Sequence, residues 1–362
     1  VNNDLDPKDD NGHGTHVAAI AAGNGILKGV APGATIIGYK VLNRIGRGTV
    51  DGVIAGIELA VDPNGDGDIS DAADVINLSL GAWGDPDDPL SQAVDSAVRA
   101  GVVVVAAAGN SGPAGRRDCR HTGEDSQESV CSPGTARLAI TVGAAGKNDQ
   151  VAGFSSRGPV VWKGMGIMKP DIVAPGVTIC AAASHLPSPG VQCLDEKLMA
   201  ISGTSMASPH VAGATALLIQ VHPDWSPGHI KAALKGTAKE IDKNITRQGA
   251  GRMDILRTIE ERGLPPMVTL EPIPVTQKKL LRGKIITQDL ASWSIAVAEV
   301  TQWRELYRST ALPKSNLLYE IQTNAWRDGE YVVRVSVEDQ DGQQTVDYGY
   351  VLVDKLQLLS PR

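Results

Sequence analysis

Three short runs carry residue types able to move a proton, attack a carbonyl or hold a developing negative charge. The first is Asn11-Gly12-His13-Gly14-Thr15-His16-Val17-Ala18. A helix is predicted to begin here, with Val17, Ile20 and Ala21 on one face. His13 stands at its mouth, between glycines that let another backbone approach closely. An imidazole there can serve as general base, because its ordinary pKa lies near neutrality. A lone His in such a place is more often a surface or capping residue. The second run is Ser202-Gly203-Thr204-Ser205-Met206-Ala207-Ser208-Pro209-His210-Val211-Ala212-Gly213. Ser205 falls at a predicted helix N-terminus, with Pro209 tolerated in the first turn. The positive end of the helix dipole would face charge developing near its oxygen. Capping is the plainer role for a Ser here, and it is kept for Ser202. The third run is Ala106-Ala107-Ala108-Gly109-Asn110-Ser111-Gly112. It leaves an apolar strand at its C-terminal end, where open α/β sheets place their sites. The Asn110 amide could donate to an oxyanion, although Gly-Asn alone is a common turn.

The elements that must position these runs alternate along the chain. Ala34 to Leu42, Asp74 to Ser79 and Leu138 to Val142 read as strands. Val102 to Ala108 is apolar throughout, as in a parallel strand covered on both faces. Gly52 to Ala60, Ser91 to Ala100, Met206 to Gln220 and Pro227 to Lys235 read as helices. Ser226 caps the last of them, with Pro227 at its first position. This alternation predicts a doubly wound, mostly parallel α/β domain over residues 1–262. Residues 263–267 read as a linker. Beyond them the period changes to two at Tyr331, Val333, Val335 and Val337, Asp341-Gly342 signals a hairpin, and Thr345 to Val353 forms its second strand. Residues 268–362 are therefore expected to form a small β-sandwich.

Composition excludes several classes. A net charge of −7 without a basic stripe argues against a nucleic-acid partner. No apolar run is long enough to span a bilayer. Val1 opens into the polar Asn2-Asn3-Asp4, which is neither a Met start nor a signal peptide, so the chain reads as a fragment of a precursor. The four cysteines form two close pairs without zinc spacing. Disulfides Cys119–Cys131 and Cys180–Cys193 are the simplest pairing and would place the protein outside the cytosol; four unpaired thiols are the alternative.

Taken together, H-G-T-H-V-A, A-A-A-G-N-S-G and S-G-T-S-M-A-S-P-H-V-A-G resemble the His, oxyanion and nucleophile motifs of the subtilisin-like serine proteases, the subtilases. Phe154 to Pro159 and Lys169 to Gly176 also resemble subtilase segments. The resemblance covers roughly residues 1–260. It implies a secreted serine endopeptidase that works through an acyl-enzyme. Ser205 would be the nucleophile, His13 the general base, and Asn110 an oxyanion donor beside the Ser205 amide. His16 and His210 resemble structural histidines. Ser79-Leu80-Gly81 and Ala107-Ala108-Gly109 resemble the two walls of the primary specificity pocket. Gly46-Arg47-Gly48 resembles the edge that pairs with an extended substrate. The implied partners are polypeptide substrates and the chain's own propeptide, on a monomeric protein, and no cofactor is required for catalysis.

The family pattern also needs an Asp at the end of an apolar strand ahead of the His motif, and none stands there. Asp4, Asp6, Asp9 and Asp10 lie in a polar loop. Loss of that Asp costs on the order of 10⁴ in turnover, so the chain alone is expected to be nearly inactive.

Asp62, Asn64, Asp66 and Asp68, with Gly67 sixth, resemble half an EF-hand loop. Ala73 stands where the bidentate Glu belongs, which leaves structural calcium and a solvated acidic turn both open. The short run Ala22 to Gly29 lacks the calcium loop that many subtilases insert. The Cys119–Cys131 insert runs into Ser132-Pro133-Gly134, near the family's pocket base, and is expected to shape that pocket. Two rival readings are a metal-dependent hydrolase using His13 and His16, which lacks a third ligand, and a non-catalytic surface or adhesion protein working through its C-terminal sandwich.

Overall fold

The computed structural model describes residues 8–112, 129–184, 190–261, 263–274, 279–298 and 302–353. Four parallel strands form the central sheet in the order β1 (Val75–Leu78), β2 (Val103–Ala107), β3 (Ile140–Ala145) and β6 (Ile172–Pro175). Two short strands, β4 (Val160–Trp162) and β5 (Met165–Ile167), intervene in sequence. Helices cover both faces, as an uninterrupted apolar β2 requires. Val103 and Val105 face a core shared with helix α4 (Thr204–Val221) and helix α5 (Pro227–Gly236). Val102, Val104 and Ala106 face helices α2 (Val50–Val61) and α3 (Pro89–Arg99) through Val53, Ile57, Leu90 and Val94. Helix α1 (His13–Ala22) packs on α4 and on a small antiparallel sheet of β7 (Ile179–Ala182), β8 (Val191–Gln192) and β9 (Leu198–Ile201). Ser226 caps α5 in a reciprocal box with His229.

One expected strand is absent. Residues 35–41 run without a strand partner among the described residues, and Ile36 and Ile37 are 52% and 60% exposed. A strand is defined by its neighbour's hydrogen bonds, and an apolar β-branched run cannot supply those alone. Tyr39 and Val41 still pack against the core beneath β1.

The C-terminal part is antiparallel. One sheet pairs β10 (Met267–Leu270), β12 (Lys279–Ile286) and β15 (Leu317–Ile321). The other contains β11 (Ile273–Pro274), β13 (Leu290–Ala298), β14 (Trp303–Ser309), β16 (Gly329–Asp339) and β17 (Gln344–Val353). Leu281 and Ile285 from the first meet Ile295, Val333 and Val335 from the second in one core, which makes a sandwich. The larger sheet also takes in the β4–β5 hairpin: β5 pairs with β11 and β17, with Ile167 opposite Gly349.

The seam between the two parts is closely packed and mixes ion pairs with apolar contacts from Val346 and Tyr348. Lys235 Nζ lies 2.5 Å from Asp347 Oδ1, and Asp347 Oδ2 accepts from the Leu270 amide at 2.8 Å. Gly236 touches β17 so closely that a Cβ would run into the Gln344 carbonyl. Behind the seam, buried Asp171 sits 2.7 Å from Lys169 Nζ and 3.0 Å from Lys231 Nζ, and it accepts from the Thr141 amide. Burial pulls the Lys169 ammonium down to about 8 against the attraction of Asp171.

Candidate active site

Asp9 starts the first functional segment. Its carboxylate accepts from the amides of Asn11 (2.9 Å), Gly12 (2.8 Å) and Thr15 (2.7 Å) and from the Thr15 hydroxyl (2.6 Å). Burial opposes its ionisation, but these donors outweigh it and hold the carboxyl down at about 2. Gly12 turns the chain at φ 98°, a conformation that favours glycine, and His13 opens α1. The His13 ring is half-buried. Burial and the neighbouring His16 lower its pKa, opposed by Asp9. Among the described residues no carboxylate hydrogen-bonds that ring. His16 is fully buried, with Nε2 placed 3.1 Å and 3.0 Å from the Ile179 and Met199 carbonyls, so it ties α1 to β7 and β9. His210 Nδ1 lies 2.8 Å from the Met206 carbonyl, within its own helix.

Ser205 is the second residue of α4. Its hydroxyl donates to the Ser79 carbonyl at 3.3 Å, and the Ser79 hydroxyl donates to the Ser205 carbonyl at 2.8 Å. This reciprocal pair fixes the helix start to the end of β1. Asn77 and Ser208 strengthen the joint: the Ser208 hydroxyl donates to Asn77 Oδ1 at 2.7 Å, and Asn77 Nδ2 donates to Ser79 Oγ at 3.0 Å. Asn110 follows β2, exposed at its C-terminal end. Its Oδ1 accepts from the Thr204 amide at 2.9 Å and the Thr204 hydroxyl at 3.1 Å. The Thr204 hydroxyl oxygen in turn accepts from the Gly109 amide at 3.1 Å. With Oδ1 so engaged, the amide NH₂ of Asn110 has no partner among the described residues.

Helices α1 and α4 run in the same direction. A Cβ on Gly213 would come within 2.7 Å of the Ala21 carbonyl, while Met206 shares a cluster with Val17 and Ile20. His13 precedes Ala21 by as many residues as Ser205 precedes Gly213. Equal rise per residue therefore brings both side chains to the same end of the helix pair. The structure thus joins Asn110 and Ser79 to the start of α4, with His13 at the mouth of the helix packed beside it. Gly46 and Gly48 lie in the turn Asn43 to Gly48, where Gly46 takes φ 72°. Asn11 Nδ2 donates to the Arg44 carbonyl at 2.9 Å and ties that turn to the mouth of α1.

The subtilase family model matches residues 1–252. The chain belongs to the subtilase family. Over 278 residues it is 41% identical to serine protease AprX of Bacillus subtilis, covering 70% of this chain and 59% of that protein. Subtilisin DY of Bacillus licheniformis is 39% identical over 237 residues, 64% of this chain and 72% of its own length. Among solved structures, a protease from Pseudoalteromonas arctica PAMC 21717 matches with a TM-score of 0.55 at 30% identity, covering 68% of this chain and 70% of that one. The chain thus spans well under two thirds of AprX.

The subtilase scaffold explains why Thr204, Asn77 and Ser208 escaped the sequence reading. Each is a small polar residue whose partner lies about a hundred residues away, and only the threonine's place between Gly203 and Ser205 hinted at a role. The Asp62-to-Asp68 turn is laced by its own backbone amides. Asp62 accepts from the amides of Gly65, Asp66 and Gly67, Asn64 from Asp66, Asp66 from Asp68, and Asp68 from Ser70. The oxygens cap their own loop, and no group of three or more His, Cys, Asp or Glu among the described residues is placed to hold a metal. Cys180 and Cys193 are bonded. Cys119 lies outside the described residues. No described helix is long and apolar enough to cross a membrane.

Proposed function

We propose that this subtilase is a secreted serine endopeptidase. Ser205 attacks the scissile carbonyl, His13 takes and returns the proton, and Asn110 with the Ser205 amide stabilises the oxyanion. The observation that carries the reading is the Asn110–Thr204 pair. It turns the Asn110 NH₂ outward beside the residue that starts the nucleophile's helix. Ser79 to Gly81 and Ala107 to Gly109 form the primary pocket, and the Gly46-to-Gly48 turn lies along an extended polypeptide substrate. The mechanism needs a carboxylate on the His13 ring. Among the described residues Asp9 does not supply it, because its oxygens already serve the α1 amides, and slow turnover without such a carboxylate is part of the proposal. So are the division into a catalytic part, 1–262, and an accessory sandwich, 268–362, a monomeric state, and a precursor with its own propeptide. The Cys180–Cys193 disulfide supports an extracellular location.

Labelling with a peptidyl diphenyl phosphonate, located by mass spectrometry, tests the reading. A single adduct on Ser205 is expected, lost in Ser205→Ala, with Asn110→Ala slowing turnover about 10²- to 10³-fold. Peptide cleavage that resists the phosphonate and stops with a chelator would replace this reading with metal-dependent hydrolysis.

A further inference from the structure

Between the two arms of the primary pocket stands one side chain. A Cβ added to Gly81 would lie 2.9 Å from Cys131 Cβ, and one added to Gly109 would lie 2.5 Å from Cys131 Sγ. Cys131 thus fills the space against a residue of each arm. It is held there firmly. Its amide donates to the Ala108 carbonyl at 2.9 Å, and Ser132 pairs with Ala82 through both backbone groups, at 2.8 and 3.0 Å. The Cys131 side chain is buried at 5% exposure. On the other side of Gly109, the buried Ser156 hydroxyl stands 2.9 Å from the same would-be Cβ. Cys131 occupies the place where the two arms come together.

We propose that Cys131 is the floor of the primary specificity pocket and restricts the residue on the acyl side of the scissile bond to small side chains, such as Ala or Ser. This rests on the pocket assignment above. Long aliphatic and aromatic side chains would have to occupy the volume of the cysteine's methylene and sulfur. Close-packed sites reject even single methylenes by about tenfold or more.

The test varies size at one position while holding the bond constant. In a Cys119→Ser background, residue 131 is made Ser, Ala and Gly. Each protein is treated with two phosphonates that differ only in presenting Ala or Phe at the acyl-side position, and the labelling rates of Ser205 are compared. The ratio cancels slow intrinsic chemistry. The parent and Cys131→Ser are expected to favour the Ala probe by about tenfold or more. Cys131→Gly is expected to shift the ratio toward Phe by about tenfold, with Cys131→Ala in between. Should the glycine variant fail to fold, the alanine variant decides by the same ratio. Labelling of Ser205 with one unchanged ratio throughout, or a parent that favours Phe, overturns the floor assignment and leaves the protease reading standing. Absence of labelling at Ser205 by either probe overturns both.

Discussion

Along one flank of the parallel sheet, Asp171 gathers Lys169, Lys231 and the Thr141 amide in a buried cluster, and Lys235 carries the connection outward to Asp347 on the sandwich. Along the other flank, residues 35–41 lie beyond β1 with Ile36 and Ile37 in solvent, and few fixed points hold them. Tyr39 donates to the Leu59 carbonyl, Lys40 reaches Asp10 at 3.0 Å, and Asp9 organises the turn into α1. Both segments are rich in residues that favour strands. The difference lies in what each meets. Order on the first flank comes from buried ion pairs beside a paired strand, and the second flank has apolar residues without a strand partner among the described residues.

If this contrast is real, substitutions should grade steeply from one flank to the other. Asp171→Asn removes the counter-charge of two lysines and should lower unfolding free energy by about 3 kcal/mol or more, read as a fall in the urea midpoint. Gly236→Ala forces α5 off the Gln344 carbonyl and should cost about 1–3 kcal/mol, with the sandwich amides exchanging faster. Asp9→Asn weakens the turn ahead of His13 and should cost about 1 kcal/mol. The sign of its pH dependence follows from a folded pKa of about 2 against an ordinary 3.8. The contribution is present above about pH 4 and is lost as pH falls through 2, so the gap between Asp9→Asn and parent should close across that window. Ile36→Thr, on the exposed run, should change stability by less than about 0.5 kcal/mol. An Ile36→Thr cost matching that of Asp171→Asn would break the comparison.

The same contrast explains what could be read in the sequence. Val102 to Ala108 announced a strand covered on both faces because every position is apolar, and the structure places β2 there over one residue less at each end. The helices at 50–61, 89–99, 204–221 and 227–236 followed from period and capping, with Ser226 before Pro227 the plainest signal. Ala34 to Leu42 has the same local character as those strands and formed none, since pairing needs a second segment that no local pattern encodes. The site divides in the same way. His13, Asn110 and Ser205 stand out through their glycine-rich surroundings, whereas Thr204, which orients Asn110, looked like an ordinary threonine. The Asp62-to-Asp68 run is ambiguous in sequence because alternating carboxylates suit both a cation and their own backbone amides, and in the structure they accept from those amides.

The β4–β5 hairpin emerges from the ribosome long before the strand it will join. Residues 165–167 can complete their hydrogen bonds only when β11 and β17 exist, and both come far later in the sequence. A nascent protein must therefore carry an unzipped seam until β17 has been made, and a premature stop anywhere before β17 would leave that seam open for good. A check on the integrity of this seam is in effect deferred until β17 has been made.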